Sequence, residues 1–188
     1  MTIEPSALTA AVAALYASEP DLMLADMAQR LGCSELEVAS RLPAEVATLM
    51  PLTLIDELLE SLPEWGPLTT IVASGGSIFE FKGDFPRGKY GHGYYNLYTK
   101  GEGLHGHLKI DGFAAVALIS KPFRGTESHH FCFFGSNGSP VFKVYLGRDK
   151  ARQLLPEQVA HFQRWRHAVS CASTPLTAQE CEPKECEQ

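Results

Sequence analysis

No apolar run in this 188-residue chain approaches the roughly 20 residues that a helix needs to cross a bilayer, so no membrane partner is expected. The opening MTIEPSALTAAVAALYASEP also lacks a basic residue ahead of its apolar stretch. A secretory signal requires that positive n-region. Pro5, with Glu4 and Glu19 flanking the stretch, instead points to a helix, and the expectation is a cytoplasmic protein. The five cysteines (Cys33, Cys132, Cys171, Cys181 and Cys186) contain no CxxC pair. That removes the usual support for a zinc ribbon or a thioredoxin-like site, and free thiols in a reducing compartment are expected. No G-x-x-x-x-G-K-[ST] segment is present, so GRDKARQ, with Arg148, Lys150 and Arg152, reads as a solvated connection rather than a phosphate loop.

Bases are scarce in the first third. Residues 1–64 hold eleven acids and two bases, a charge of −9, and residues 168–188 carry −3. Residues 65–167 are the opposite, with thirteen bases against seven acids, a charge of +6. All seven histidines, from His92 to His167, lie in this middle block. Positive charge and imidazoles therefore share one region, which would attract an anionic ligand.

The pattern along the chain divides it the same way. Residues 6–17 read as a helix capped by Ser6, with Leu8, Val12 and Leu15 at helical spacing. A second helix spans 22–31 and ends at Gly32. A third follows Ser34 and stops at Pro43, and a fourth runs from about Pro51 to Leu62. After Trp65 come seven β-rich runs: LTTIVA, SIFEF, YYNLY, LHGHLKI, AAVALISKPF, HHFCFFG and PVFKVYLG. KGDFPRGKYGHG reads as a loop. Short strands without intervening helices predict one antiparallel sheet. Residues 156–167 return to helix, and the polar, acidic tail 168–188 is expected to be disordered. The organisation is thus a helical segment over 1–64, a sheet region with closing helix over 65–167 that forms one domain with it, and a tail.

LMLADMAQRLGCSELEVASRLP has the phrasing of a DNA-binding helix-turn-helix. Affinity for a duplex rests on Lys and Arg neutralising phosphates. Here the second helix offers Glu35 and Glu37 against Arg41, within a segment of charge −9. The expectation is a compact helical cap and no nucleic-acid partner, with a DNA-binding regulator as the least favoured function.

Strand LHGHLKI alternates so that His105, His107 and Lys109 share one side. HHFCFF places His129 with Phe131 and Phe133, and His130 with Cys132 and Phe134. Both of these histidines follow a turn and are expected to flank it without a role. The segment before and within YYNLY supplies Tyr90, His92, Tyr94 and Tyr95. On residue type alone these describe an α+β domain with a basic, histidine-bearing sheet.

EWGPLTTIV, HGYYN, GHLKI, FFGSNGSPVFKVYLGRD and RQLLPEQVAHF, in that order, resemble the HutX/ChuX family over roughly residues 20–167. The resemblance implies an α+β fold with a large antiparallel sheet flanked by helices, assembled as a homodimer like the two-repeat ChuS/HemS haem proteins. It implies intracellular haem as bound cargo, passed to a haem-degrading enzyme in haem-iron utilisation. An enzyme acting on haem or a linear tetrapyrrole is the alternative. His107 matches the family's G-H strand histidine and is the implied iron ligand; His92 matches the histidine of HGY-x-N. Some members carry a further histidine where this chain has Ala73, so that donor is lacking, and either the iron is five-coordinate or a tyrosine or a different histidine completes it. Haem also needs apolar walls and cations for its propionates. Phe81, Phe85, Tyr95 and Phe133 are the wall candidates, and Lys82, Arg87, Lys89, Lys109 and Arg148 the cationic ones.

Overall fold

A computed structural model describes residues 4–74, 76–99 and 103–172. Helix α1, Pro5–Ser18, begins one residue earlier than its sequence suggests, because Pro5 takes the first position, where its missing N–H is not needed. Helix α2, Leu24–Leu31, ends as expected at Gly32, whose φ of 65° lets the Cys33 N–H turn back to the Ala28 carbonyl at 3.0 Å. Helix α3, Glu35–Ala39, opens on a capping box in which the Ser34 and Glu37 side chains each serve the other's backbone N–H. It stops short of Pro43: Arg41 already bonds to the Val38 carbonyl, three residues back.

Strand β1, Ala47–Met50, was not legible as a strand. Beyond it the expected fourth helix is a composite: a 3-10 turn over Leu52–Leu54, then α4, Ile55–Ser61, then a second 3-10 turn over Leu62–Glu64. Ile55, Leu58, Leu59 and Leu62 supply its buried stripe.

The remaining strands are β2 (Pro67–Ser74), β3 (Ser77–Asp84), β4 (Arg87–Gly91), β5 (Tyr94–Tyr98), β6 (Gly106–Leu108), β7 (Phe113–Ser120), β8 (His129–Gly135) and β9 (Pro140–Tyr145). The single sheet of seven strands is corrected to two antiparallel sheets. Six strands run in the order β1-β7-β8-β9-β2-β3, and β4-β5-β6 form a separate three-stranded sheet. The presumed loop KGDFPRGKYGHG contains the end of β3 and all of β4. Its glycine content misleads because Gly88 is required by packing: the Tyr95 ring lies over it, where any Cβ would collide. LHGHLKI pairs only over Gly106–Leu108 before a 3-10 turn at Ile110–Gly112.

The large sheet is covered on both faces. Ala117, Ile119, Cys132 and Phe134 pack under Leu8, Val12, Met27 and Val38 of the first three helices. On the other face Val116, Leu118, Phe131, Phe133 and Val144 meet α4, the helix α5 (Pro156–Ala172) and the inner face of the small sheet. Every residue of β8 is buried. Each fully buried phenylalanine there contributes about 1.5–3 kcal/mol. The architecture is therefore α+β, with helices flanking a large antiparallel sheet.

Buried Gln158 ties the closing helix to the strands. It accepts from the Gly147 N–H at 2.6 Å and donates to the Trp65 and Pro67 carbonyls at 2.8 and 3.0 Å. Helix α5 continues five residues past 167, and the disorder expected for the rest of the tail falls outside the described residues. The helix-turn-helix-like segment is engaged by its own domain. Leu36 N–H bonds to the Gly138 carbonyl of the β8–β9 turn at 3.0 Å, and Glu35 pairs with Lys143 of β9 at 3.2 Å.

Candidate functional site

Residues directly opposite one another in an antiparallel pair project to the same side. In the small sheet Asn96 lies opposite both Lys89 and His107, Tyr98 opposite Arg87, and Tyr94 opposite Gly91. One face thus carries Arg87, Lys89, Tyr94, Asn96, Tyr98 and His107. The other carries Gly88, Tyr90, Tyr95, Leu97, Gly106 and Leu108. Burial follows this division except at Tyr90, which is 52% exposed. Tyr95 and Leu97 are 2% and 7% exposed inside the core, whereas Tyr94 and Tyr98 are 40% and 48% exposed. Arg87, Lys89 and His107 are exposed as well.

Among the sequence candidates, His107, Arg87 and Lys89 therefore meet on one surface. Lys109 follows β6 in extended backbone and is exposed; strand alternation gives it the His107 side. His92 stands at the end of this sheet. With Gly93 it forms the two-residue turn joining β4 to β5, and the φ values of 53° and 80° are those of a type I′ hairpin. Tyr95 is on the opposite face. Burial, then the nearby Glu60 and Asp56 charges, pushes its phenol above the usual range, which disfavours the phenolate needed for iron ligation. Its neighbours Tyr94 and Tyr98 occupy the outward positions that the reading of the sequence gave to Tyr95. The Tyr94 ring stands edge-on to His107, with centroids 6.0 Å apart.

The remaining wall and edge candidates are dispersed. Phe85 and Phe133 are core residues. Phe81 and Lys82 lie on β3 in the other sheet, where Lys82 pairs with Glu80 at 3.6 Å. Arg148 donates to the carbonyls of Arg152 and Glu127. Ala73 lies on β2, in the large sheet rather than beside His107.

Two side chains anchor the small sheet. Arg87 meets the Glu64 carboxylate, and the Tyr90 hydroxyl donates to Asp56 of α4. His107 Nδ1 lies 2.6 Å from Asn96 Oδ1, and Asn96 Nδ2 donates to the carbonyls of Lys89, Gly91 and Tyr94 at 3.1, 2.9 and 3.1 Å. His105 Nε2, by contrast, is 3.0 Å from the Thr99 hydroxyl. The sequence shows Asn96 only as part of the HGYYN motif; the signal for its role is the register that sets it against His107.

The sequence places the other strand histidines beside a turn; in the structure both are instead buried within β8. His129 is held between Ser120 Oγ at 2.6 Å and the Glu127 carboxylate at 2.8 Å. His130 stacks on Tyr145 with centroids 4.2 Å apart. Among the described residues, no three His, Cys, Asp or Glu side chains come together as a site for a bare metal ion. An iron already held by four porphyrin nitrogens asks less of a protein: one axial donor suffices.

The chain is also similar to known haem-utilisation proteins. The family described as haem utilisation ChuX/HutX matches residues 48–165. The intracellular heme transport protein HutX of Vibrio cholerae serotype O1 is 50% identical over 152 residues, which are 81% of this chain and 79% of that protein. The structure of the heme binding protein ChuX superposes with a TM-score of 0.78 at 35% identity, covering 85% of this chain and 99% of that one. The fold is also shared with apo-PhuS, a heme-binding protein from Pseudomonas aeruginosa, with a TM-score of 0.68 at 16% identity; the match covers 84% of this chain but only 46% of PhuS. With the family match spanning most of the chain and a relative half-identical to it, this protein belongs to the ChuX/HutX haem-utilisation family.

Proposed function

We propose that this chain binds haem on the outward face of the β4-β5-β6 sheet and carries it within haem-iron utilisation, delivering it to a haem-degrading enzyme. The observation that carries this reading is the placement of an exposed imidazole, His107, on one face with two exposed tyrosine rings and the cations Arg87 and Lys89. Porphyrin is a flat apolar disc with an iron centre and two carboxylates. The tyrosine rings offer it apolar contact, the imidazole an axial donor, and the cations partners for the propionates. Attachment through one strong donor suits a carrier, because cargo held by two imidazoles would leave slowly.

We further propose that the working form is a homodimer. The chain matches only about half the length of PhuS, whose fold it shares, so two copies would supply an equivalent complement of structure. A cytoplasmic location suits the unpaired thiols of Cys33, Cys132 and Cys171.

Titration of the purified protein with hemin tests the reading. Stoichiometric uptake with a Soret band is expected, and His107→Ala lowers affinity about tenfold or more and moves the band. Unchanged affinity and spectrum in that variant would remove His107 from the site. Under oxygen with a reductant, the haem is expected to stay intact and to pass to an apo-acceptor; its conversion to a biliverdin-like product would replace the carrier with an enzyme.

A further inference from the structure

The imidazole of His107 has two ring nitrogens, and only a nitrogen without a proton can bind iron. Its Nδ1 is 2.6 Å from Asn96 Oδ1. Whether that contact fixes the proton depends on which end of the Asn96 amide faces the ring. The other end settles it. The carbonyl oxygens of Lys89, Gly91 and Tyr94 lie 3.1, 2.9 and 3.1 Å from it. Carbonyls only accept, so the atom among them is the NH2 group; an amide oxygen there would face three acceptors. The end toward His107 is therefore oxygen and can only accept. A neutral imidazole answers it with the proton on Nδ1, which leaves the Nε2 lone pair unprotonated. His107 Nε2 makes no hydrogen bond among the described residues, and the side chain is exposed.

We infer that Asn96 is a positioning residue: it holds His107 as the Nδ1–H tautomer and so presents Nε2 as the iron donor. The inference rests on the haem reading above for its ligand, although the tautomer itself does not require haem. The scaffold is suited to the task. Gly91 and Tyr94 are the residues that close the β4–β5 turn, so Asn96 is anchored to a hairpin rather than to a loop. Its register partner His107 sits on the next strand, so the acceptor and the ring are set by the same sheet. An Nδ1–H···O bond behind the donor also makes Nε2 more basic and restricts rotation of the ring.

Two measurements test this. In the apo protein, proton–nitrogen correlation spectra of the histidine rings, assigned with His107→Ala, are expected to show His107 with its proton on Nδ1. A wild-type His107 protonated on Nε2 overturns the inference. In Asn96→Ala the ring is expected to mix tautomers, hemin affinity to fall about tenfold, and the ferrous iron–histidine stretching band to move to lower frequency. A stable, folded Asn96→Ala protein with both tautomer and stretching band unchanged also overturns it. Should Asn96→Ala not fold, the wild-type ring spectra decide alone: a His107 proton on Nδ1 supports the inference and one on Nε2 overturns it. If the wild type takes up no hemin, the haem reading fails and the donor role fails with it, while the ring spectra still decide whether Asn96 sets the tautomer.

Discussion

The two sheets of this protein use histidine in opposite ways. In the six-stranded sheet both faces of β8 are covered, so His129 and His130 are interior groups. His129 has both nitrogens engaged, and His130 is stacked on Tyr145 with its Nδ1 unpartnered. In the three-stranded sheet one face packs on the core and the other is open, so His107 keeps one nitrogen engaged and the other directed to what arrives from solvent. The same side chain is thus a packing element in one sheet and, in the proposed haem site, a donor in the other. What separates the roles is the number of covered faces, not the local sequence.

Breaking each sheet should expose that division. The largest effect is expected in the doubly covered sheet. Phe133→Ala, at a site with no exposed surface, should cost about 4 kcal/mol in chemical denaturation, while hemin bound to the folded fraction keeps its wild-type spectrum. A spectrum altered as strongly as the stability would mean that the two sheets are not functionally separate.

Next comes Gly88→Ala, which forces a methyl group into the Tyr95 ring. A loss of about 2 kcal/mol is expected from overpacking, and here hemin affinity should fall as well, because Tyr95 and His107 flank the same strand pair. Unaffected binding would disconnect the inner face of the small sheet from its outer one.

A smaller effect sharpens the contrast between histidines. Burial, then the charges of Lys143 and His129, holds His130 well below its ordinary range. The unfolded chain, with an ordinary value near 6.5, therefore takes up a proton on this ring before the folded one does. Stability is intact above that value and drains away as pH falls below it toward the depressed folded value, by about 1 kcal/mol at roughly pH 5.5. His130→Phe should flatten this part of the urea-midpoint profile; the same slope in the variant would assign it to other groups.

The smallest expected change is at the rim. Lys89→Ala, at an exposed charge, should weaken hemin binding by about 0.5 kcal/mol, an effect that fades as salt is raised. A salt-independent loss would point to a direct, desolvated contact instead.

Much of this was legible along the chain. The Gly32 turn and the helix start at Ser34 are local signals, and both form as read. The change from helical to strand-like pattern after Trp65 is local too, as are the family motifs and the alternation that sets His107 apart from Leu108. Strand β1 escaped notice because four residues carry too little pattern, and β4 because its glycines imitate a loop. Choosing Tyr95 over Tyr94 and Tyr98 was an error of phase: alternation says that neighbours face opposite ways, but not which way is out.

Sequence by itself determined the class of the domain, the segregation of positive charge and histidine into one region, and the ordered motifs that place it in its family. Those properties live in neighbouring residues or in composition. Tertiary structure alone decided that the strands divide into two sheets, that Asn96 stands opposite His107, and that His129 and His130 are sealed inside. Each of these depends on pairing between strands distant along the chain and on which faces other elements cover, and neither is encoded in the spacing of adjacent residues.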